Sequence, residues 1–290
     1  MSSRLALGTV QFGLPYGIAN RTGQVDPGVA AAILEFARGS GLDTLDTAIA
    51  YGESEQRLGE IGVSPWRIIS KLPPVPDAYM DVSTWARQMV LGSLSRLGVG
   101  RLHGLLLHRA PDLLGPFGGE LRDTMVSIKD EGLVENIGVS IYSPEELEAI
   151  HSCMPLDVVQ APFNVFDRRL ETSGWLERLK RAGTKIHVRS VFLQGLLLMD
   201  AAVRPAKFRR WQALWDRWDA WLLRTGLTPL QACMGFVLSY PQVDRVVVGV
   251  DSVRHLLEIV DSVSGPGVDA PADLIGEDLD LLNPSRWSAS

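Results

Sequence analysis

Cysteine is almost missing from this chain: two thiols, Cys153 and Cys233, in 290 residues. Two are too few for a disulfide framework, and both read as buried small hydrophobes. Basic runs are missing too. Net charge is −6, so the chain lacks the electrostatic footprint of a nucleic-acid binder. No apolar run approaches the ~20 residues that a membrane-spanning helix needs. The opening "MSSRLALGTVQFG" reaches glycine too soon for the apolar region of a signal peptide, so a cytoplasmic location is expected. What remains is 46% hydrophobic and 21% charged, the balance of a globular chain with a substantial core.

Short apolar runs alternate with longer amphipathic ones. Strands are expected at "RLALGT" (4–9), "LDTLD" (42–46), "RIISK" (67–71), "HGLLLH" (103–108), "ENIGVS" (135–140), "DVVQ" (157–160), "KIHVRS" (185–190) and "RVVVGV" (245–250). Helices are expected at 27–39, 53–60, 83–97, 119–131, 143–151, 168–182, 207–224 and 228–239. Asp26, Ser83, Ser143 and Thr228 stand where first turns need a cap. Gly39, Gly98, Gly132 and Gly183 stand where helices stop. Eight strands that are apolar throughout imply parallel pairing with both faces covered. Count and length fit a closed (β/α)₈ TIM barrel, an α/β fold, as a single domain over 1–263. Residues 264–290 break the pattern and read as a C-terminal tail packing on or near the barrel.

In such a barrel the active site forms at the C-terminal ends of the strands. Asp46, Lys71 and His108 occupy three consecutive strand ends, and Tyr51 lies in the loop after the second. A free phenol with a pKa of ~10 is a poor acid–base group at neutral pH. A lysine cation beside it favours the phenolate, an aspartate keeps that lysine charged and aimed, and a histidine can orient a carbonyl oxygen. Each residue alone would more often be a cap, a packed aromatic or a solvated charge; together they make a proton-transfer site.

"DTAIAYG" (46–52), "ISK" (69–71) and "LLLH" (105–108) resemble the aldo-keto reductase family. So do "LGTVQFG" (7–13), "GLVENIGVSIYSPEEL" (132–147), "VVQAPFNVFDRR" (158–169), "RSVFLQGLL" (189–197) and "VVVGVDSVRHLLE" (246–258). The resemblance implies a barrel that binds a nicotinamide dinucleotide without a Rossmann domain, and no GxGxxG opens a helix after a strand here. It implies reduction of an aldehyde or ketone on a small molecule, possible substrates including sugar-like ones, or the reverse oxidation. Tyr51 would be the proton donor, tuned by Lys71 and Asp46, and His108 would position the carbonyl. Ser140 and Gln160 would meet the nicotinamide carboxamide. The loop Ser190–Leu196, with Leu193 and Gly195, would follow the pyrophosphate. Gly249, Asp251, Ser252, His255 and Glu258 would hold the adenosine end. Loops 109–118 and 193–210, with Phe12, Tyr16, Trp85 and Phe163 as candidate apolar walls, would shape the substrate pocket.

Three positions depart from the family pattern. Ile141 stands where many relatives carry asparagine. Arg189 aligns with the aromatic that stacks on the nicotinamide; its guanidinium could stack there or bind a substrate anion. Asp251 brings a negative charge where the 2′-phosphate of NADP usually meets a cation, with Arg254 or His255 as compensation. NADP(H) is still expected over NAD(H), on family habit. No metal site is expected: His103 and His108 fall on opposite faces of one strand, and His151–Cys153 lacks a second ligand pair. Trp211, Trp215, Trp218 and Leu222 share a helical face that should pack on the barrel. The arginine pairs 168–169 and 209–210 are expected to be solvated. Two other functions are weighed: a nicotinamide-binding regulatory protein with little turnover, and an aldolase using Lys71 as a Schiff base. A lysine held charged by Asp46 would be a poor nucleophile for the second.

Overall fold

The computed structural model describes residues 4–20, 22–76 and 81–289. Met1–Ser3, Arg21, Asp77–Met80 and Ser290, which fall in the expected barrel and tail ranges, lie outside the described residues. Eight parallel strands close in sequence order: β1 (Leu5–Gly8), β2 (Thr44–Asp46), β3 (Arg67–Leu72), β4 (Gly104–Leu107), β5 (Ile137–Ser140), β6 (Val158–Pro162), β7 (Lys185–Arg189) and β8 (Arg245–Gly249). Closure comes from β1 against β8, with Leu5 opposite Val246 and Gly8 opposite Gly249. All eight expected strands are present, six of them shortened at their ends, while β3 runs one residue further and β6 two residues further than expected.

The helices are α1 (Val10–Gly13), α2 (Pro27–Gly39), α3 (Ser54–Ile61), α4 (Val82–Leu97), α5 (Gly118–Asp130), α6 (Glu145–Ile150), α7 (Arg169–Thr172), α8 (Trp175–Arg181), α9 (Gln212–Thr225), α10 (Pro229–Leu238), α11 (Val253–Ser262) and α12 (Leu279–Leu282). Local sequence explains their ends. Asp26 accepts a hydrogen bond from the Gly28 amide at 2.8 Å, while Ala30, Ile33, Leu34 and Ala37 give α2 one buried stripe. Thr228 and Gln231 cap each other's backbone at the start of α10. The cap of α4 is Asp81, bonded to the Thr84 amide, rather than Ser83. The single helix expected at 168–182 is two, because Gly174 between α7 and α8 is left-handed, at φ 78°. Helix α9 begins later than 207 because residues 206–211 form a 3₁₀ turn. Helix α11 was not among the expected helices. Among the described residues no helix is long and apolar enough to cross a membrane.

Strand parity divides the interior. Ile69, Leu106 and Val158 form a small apolar cluster of their own, separate from the large core that joins the strands' outer faces to the helices. That cluster is buried and lies on the same strand faces as Lys71 and Gln160, below the polar strand ends. The tail is fastened rather than loose: the buried Arg168 guanidinium donates to the carbonyls of Ala270 and Pro271, each at 2.9 Å, and the Gly276 amide donates to Phe166 O. The expectation that residues 168–169 are solvated therefore fails. A lone guanidinium can be buried when enough carbonyls receive it, and Arg169 pairs with the buried Asp167 at 2.7 Å. Trp215 and Trp218 are buried against Phe166 as expected, with Trp211 at the edge in the 3₁₀ turn.

The stretch "GESEQRLG" after Tyr51 is architecture. Glu55 is buried and accepts from Ser70 and Ser93, both at 2.7 Å, and from two nitrogens of Arg96. Gly59 lets α3 approach α4, since a Cβ there would stand 1.9 Å from the Arg96 carbonyl oxygen. Gly59→Ala should therefore destabilise the protein by about 1–3 kcal/mol through forced separation of the two helices. A thermal melt checks this, and an unchanged midpoint would mean that the helices separate without cost.

Candidate active site

Asp46 ends β2, Lys71 lies one residue from the end of β3, and His108 directly follows β4. The Lys71 ammonium sits 2.6 Å from Asp46 Oδ1 and 2.8 Å from the Thr47 carbonyl oxygen. Both members of the pair are buried, at 4% and 1% exposure for Asp46 and Lys71. The second Asp46 oxygen accepts from Gln160 Nε2 at 2.6 Å, so the carboxylate is held from two sides. Burial alone would lower the lysine pKa, but the charges of Asp46 and Tyr51 and the Asp46 hydrogen bond outweigh it and raise it above the ordinary value. Lys71 is a fixed cation.

Tyr51 reaches this pair because its loop is pinned to the neighbouring strand. The Thr47 amide donates to Ile69 O, Ile49 to Lys71 O, and Tyr51 to Ala48 O. The Lys71 Nζ lies 5.2 Å from the centre of the Tyr51 ring. His108 meets that ring edge-on, with centroids 5.8 Å apart. Desolvation, then the cations of Lys71 and Arg189, push the His108 imidazole down to about 4. It is neutral at ordinary pH and can donate one hydrogen bond.

The candidate cofactor residues lie on or after β5 to β8. Ser140 Oγ is 3.4 Å from Gln160 Oε1; both residues are buried at adjacent strand ends, and that oxygen keeps capacity to accept. The Gln160–Asp46 hydrogen bond is a contact that spacing could not reveal. Arg189 ends β7: Nη2 donates to Ile141 O at 2.9 Å, Nη1 donates to Ser190 Oγ at 3.2 Å, and the guanidinium lies 4.8 Å from the Tyr142 ring centre. Among the described residues, non-glycine residues with positive φ are confined to Ser190, Leu193 and Gln194, at 59°, 48° and 55°. All three fall in the loop expected to follow the pyrophosphate. The Leu193 and Leu196 side chains are wholly buried, which leaves backbone as what those residues can offer a ligand. Ser252 caps α11 through the His255 amide, Asp251 pairs with His255 at 2.5 Å, and Arg254 pairs with Glu258. Gly249 leaves room for Gln11, whose buried Oε1 has no hydrogen-bond partner.

Three of the four candidate walls are placed elsewhere. Phe163 points outward because Gln160 points inward three residues earlier; it packs on Phe236 and Tyr240. Phe12 is wholly buried in the core, and Trp85 is buried on α4 outside the barrel. Tyr16 does reach the mouth, where its hydroxyl accepts from Gln194 Nε2 at 3.0 Å, within electrostatic range of Arg189 and Tyr51. Gln194 falls in a loop expected at the site, but its hydrogen bond to Tyr16 was not anticipated, and neither was Tyr142 under Arg189; contacts across loops and strands leave no local pattern. His103 lies at the opposite end of the barrel, bonded to Glu135.

Comparison with known proteins identifies the family. The model of the aldo/keto reductase family matches residues 4–270. The chain belongs to that family. The aldo-keto reductase YhdN of Bacillus subtilis is 28% identical over 183 residues, 59% of this chain, and the match spans only 53% of YhdN. A solved Pseudomonas aeruginosa chain, PA4992, assigned to the same family, superposes with TM-score 0.67 at 25% identity, covering 90% of this chain and 89% of its own. The holo form of AKR11C1 from Bacillus halodurans reaches TM-score 0.71 over 92% and 88% of the two chains. At 19% identity, that likeness is one of fold.

His187, inside the barrel, is held near 4 by burial, as His108 is, and its Nδ1 has no partner. Unfolded, each imidazole titrates near ~6.5. Between about 4 and 6.5 the unfolded chain thus binds more protons, so this stability is complete above about 6.5 and is lost as pH falls towards 4. Urea midpoints should fall between pH 7 and pH 4.5, and His187→Gln should flatten that slope. An identical slope in the variant would mean that His187 is not buried neutral.

Proposed function

We propose that this protein catalyses NAD(P)H-dependent reduction of an aldehyde or ketone, or the reverse oxidation, with Asp46, Tyr51, Lys71 and His108 as its catalytic residues. The observation that carries the reading is the buried Asp46–Lys71 pair with the ammonium beside the Tyr51 ring. A bound reduced nicotinamide would supply the hydride that lands on the carbonyl carbon. Tyr51 gives its proton to the carbonyl oxygen, and the Lys71 cation lowers the cost of the phenolate left behind. Neutral His108 donates a hydrogen bond to the same oxygen and holds it at the phenol. The same contacts argue against a Schiff-base role, because a lysine fixed as a cation is a poor nucleophile.

The residues present suit the cofactor. Ser140 Oγ can donate to the carboxamide oxygen and Gln160 Oε1 can accept from its nitrogen. The left-handed residues at 190, 193 and 194 are the kind of backbone outlier that gathers at ligand clamps, and Gln11 Oε1 is a buried acceptor still lacking a donor. The N-terminus of α11, with Arg254 and His255 on its first turn, supports NADP(H) over NAD(H) despite Asp251. Tyr16, Tyr142, Gln194 and Arg189 make the mouth polar, which suits a small polar carbonyl compound such as a sugar derivative.

The test is consumption of NADPH and, in parallel, NADH by the purified protein with a reactive aromatic aldehyde. Turnover is expected, faster with NADPH. Tyr51→Phe should lower kcat by about 10²–10⁴-fold or more and leave cofactor affinity nearly unchanged. A variant that loses cofactor binding instead would show that Tyr51 holds the cofactor rather than supplying the proton.

A further inference from the structure

We propose that Arg189 makes the site discriminate between oxidation states of its cofactor, retaining the reduced, uncharged nicotinamide and shedding the oxidised, cationic one. The inference rests on the preceding reading, that a nicotinamide binds between Ser140, Gln160 and the end of β7. Pro162, two residues beyond Gln160 on β6, is in register with Arg189 on β7. A ring held by its carboxamide at Ser140 and Gln160 therefore has this guanidinium as its neighbour on the next strand.

The guanidinium is immobilised by neutral partners: the Ile141 carbonyl, the Ser190 hydroxyl and the Tyr142 ring. Among the described residues no carboxylate pairs with it. Glu146 feels its charge, but Glu146 Oε1 is directed to the amides of Tyr142 and Ser143, at 2.8 and 2.9 Å. The other cation at the mouth, Lys71, is neutralised by Asp46, and His108 is uncharged. Arg189 is thus the uncompensated charge of the site, half-buried, where screening by water is incomplete.

Reduction moves two electrons and a proton from the nicotinamide to the carbonyl carbon, leaving the ring with one positive charge, while the oxygen takes its proton from Tyr51. An aromatic residue beside that ring would attract the cation through its π face. A guanidinium repels it. Two unit charges a few ångströms apart at an effective dielectric constant of ~20 repel by several times thermal energy, an effect on the order of ten- to hundredfold in relative affinity. The reduced form would load preferentially and the oxidised product would leave readily, which suits net reduction.

The test is equilibrium binding of NADPH and NADP⁺, repeated with NADH and NAD⁺, to the wild-type chain, Arg189→Lys and Arg189→Met. The wild type should bind the reduced form at least about tenfold more tightly, with the gap narrowing in high salt. R189K should keep most of the gap. R189M should shrink it by on the order of ten- to hundredfold, mainly through tighter binding of the oxidised form. Equal weakening of both forms in R189M would overturn the inference and make Arg189 a brace for the β5 loop. An effect confined to KM for an anionic carbonyl substrate would overturn it in favour of a substrate-anion site. Failure of the wild type to bind either form would instead overturn the cofactor reading on which it stands.

Discussion

Asp46 and Lys71 face each other across 2.6 Å on adjacent strands, nearly withdrawn from water. Neither charge is tolerable there alone, since removing one partner of a buried pair typically costs about 3–5 kcal/mol. Each polar neighbour follows from that constraint. Gln160 turns its amide nitrogen to the carboxylate, and the Thr47 carbonyl turns to the ammonium. Below them Ile69, Leu106 and Val158 form a buried apolar cluster. Tyr51 stands beside this fixed cation, its ring centre 5.2 Å from the ammonium, and so meets a constant field.

The mouth above the pair is built differently. Its residues come from loops after β1, β5 and β7 and touch across them, as Tyr16 does Gln194 and Arg189 does Tyr142. Gly195 shows how closely two of these loops approach: a Cβ there would stand 2.6 Å from the Ala19 side chain, at a φ of 88°. The left-handed residues at 190, 193 and 194 sit in the same place. Such conformations persist only where surrounding structure over-determines them, and here buried Leu193 and Leu196 anchor the loop from beneath.

Much of this was legible in sequence because it is periodic or positional. Eight apolar runs, seven of them with polar last residues, specify parallel strands and an active end, so Asp46, Lys71 and His108 could be placed from sequence. Misreadings arose where a residue's direction or partner depends on distant chain. Phe163 reads as a pocket wall until strand parity, set by Gln160, turns it outward. Arg168 reads as solvated until the tail, some hundred residues later, supplies two carbonyls. Residues 168–182 carry a helical pattern throughout, yet one left-handed glycine divides them.

The barrel and the strand-end positions of Asp46, Lys71 and His108 could be read along the chain, because hydrophobic period and strand-end chemistry are local properties, while the family was legible only as a resemblance of motifs. Only packing across the chain settled that Gln160 braces Asp46, that Tyr142 lies under Arg189, and that among the described residues no carboxylate neutralises the Arg189 cation. Those are facts about which charges and dipoles meet across separate strands and loops. Electrostatic energy depends on distance and burial in space, and neither can be counted along the chain.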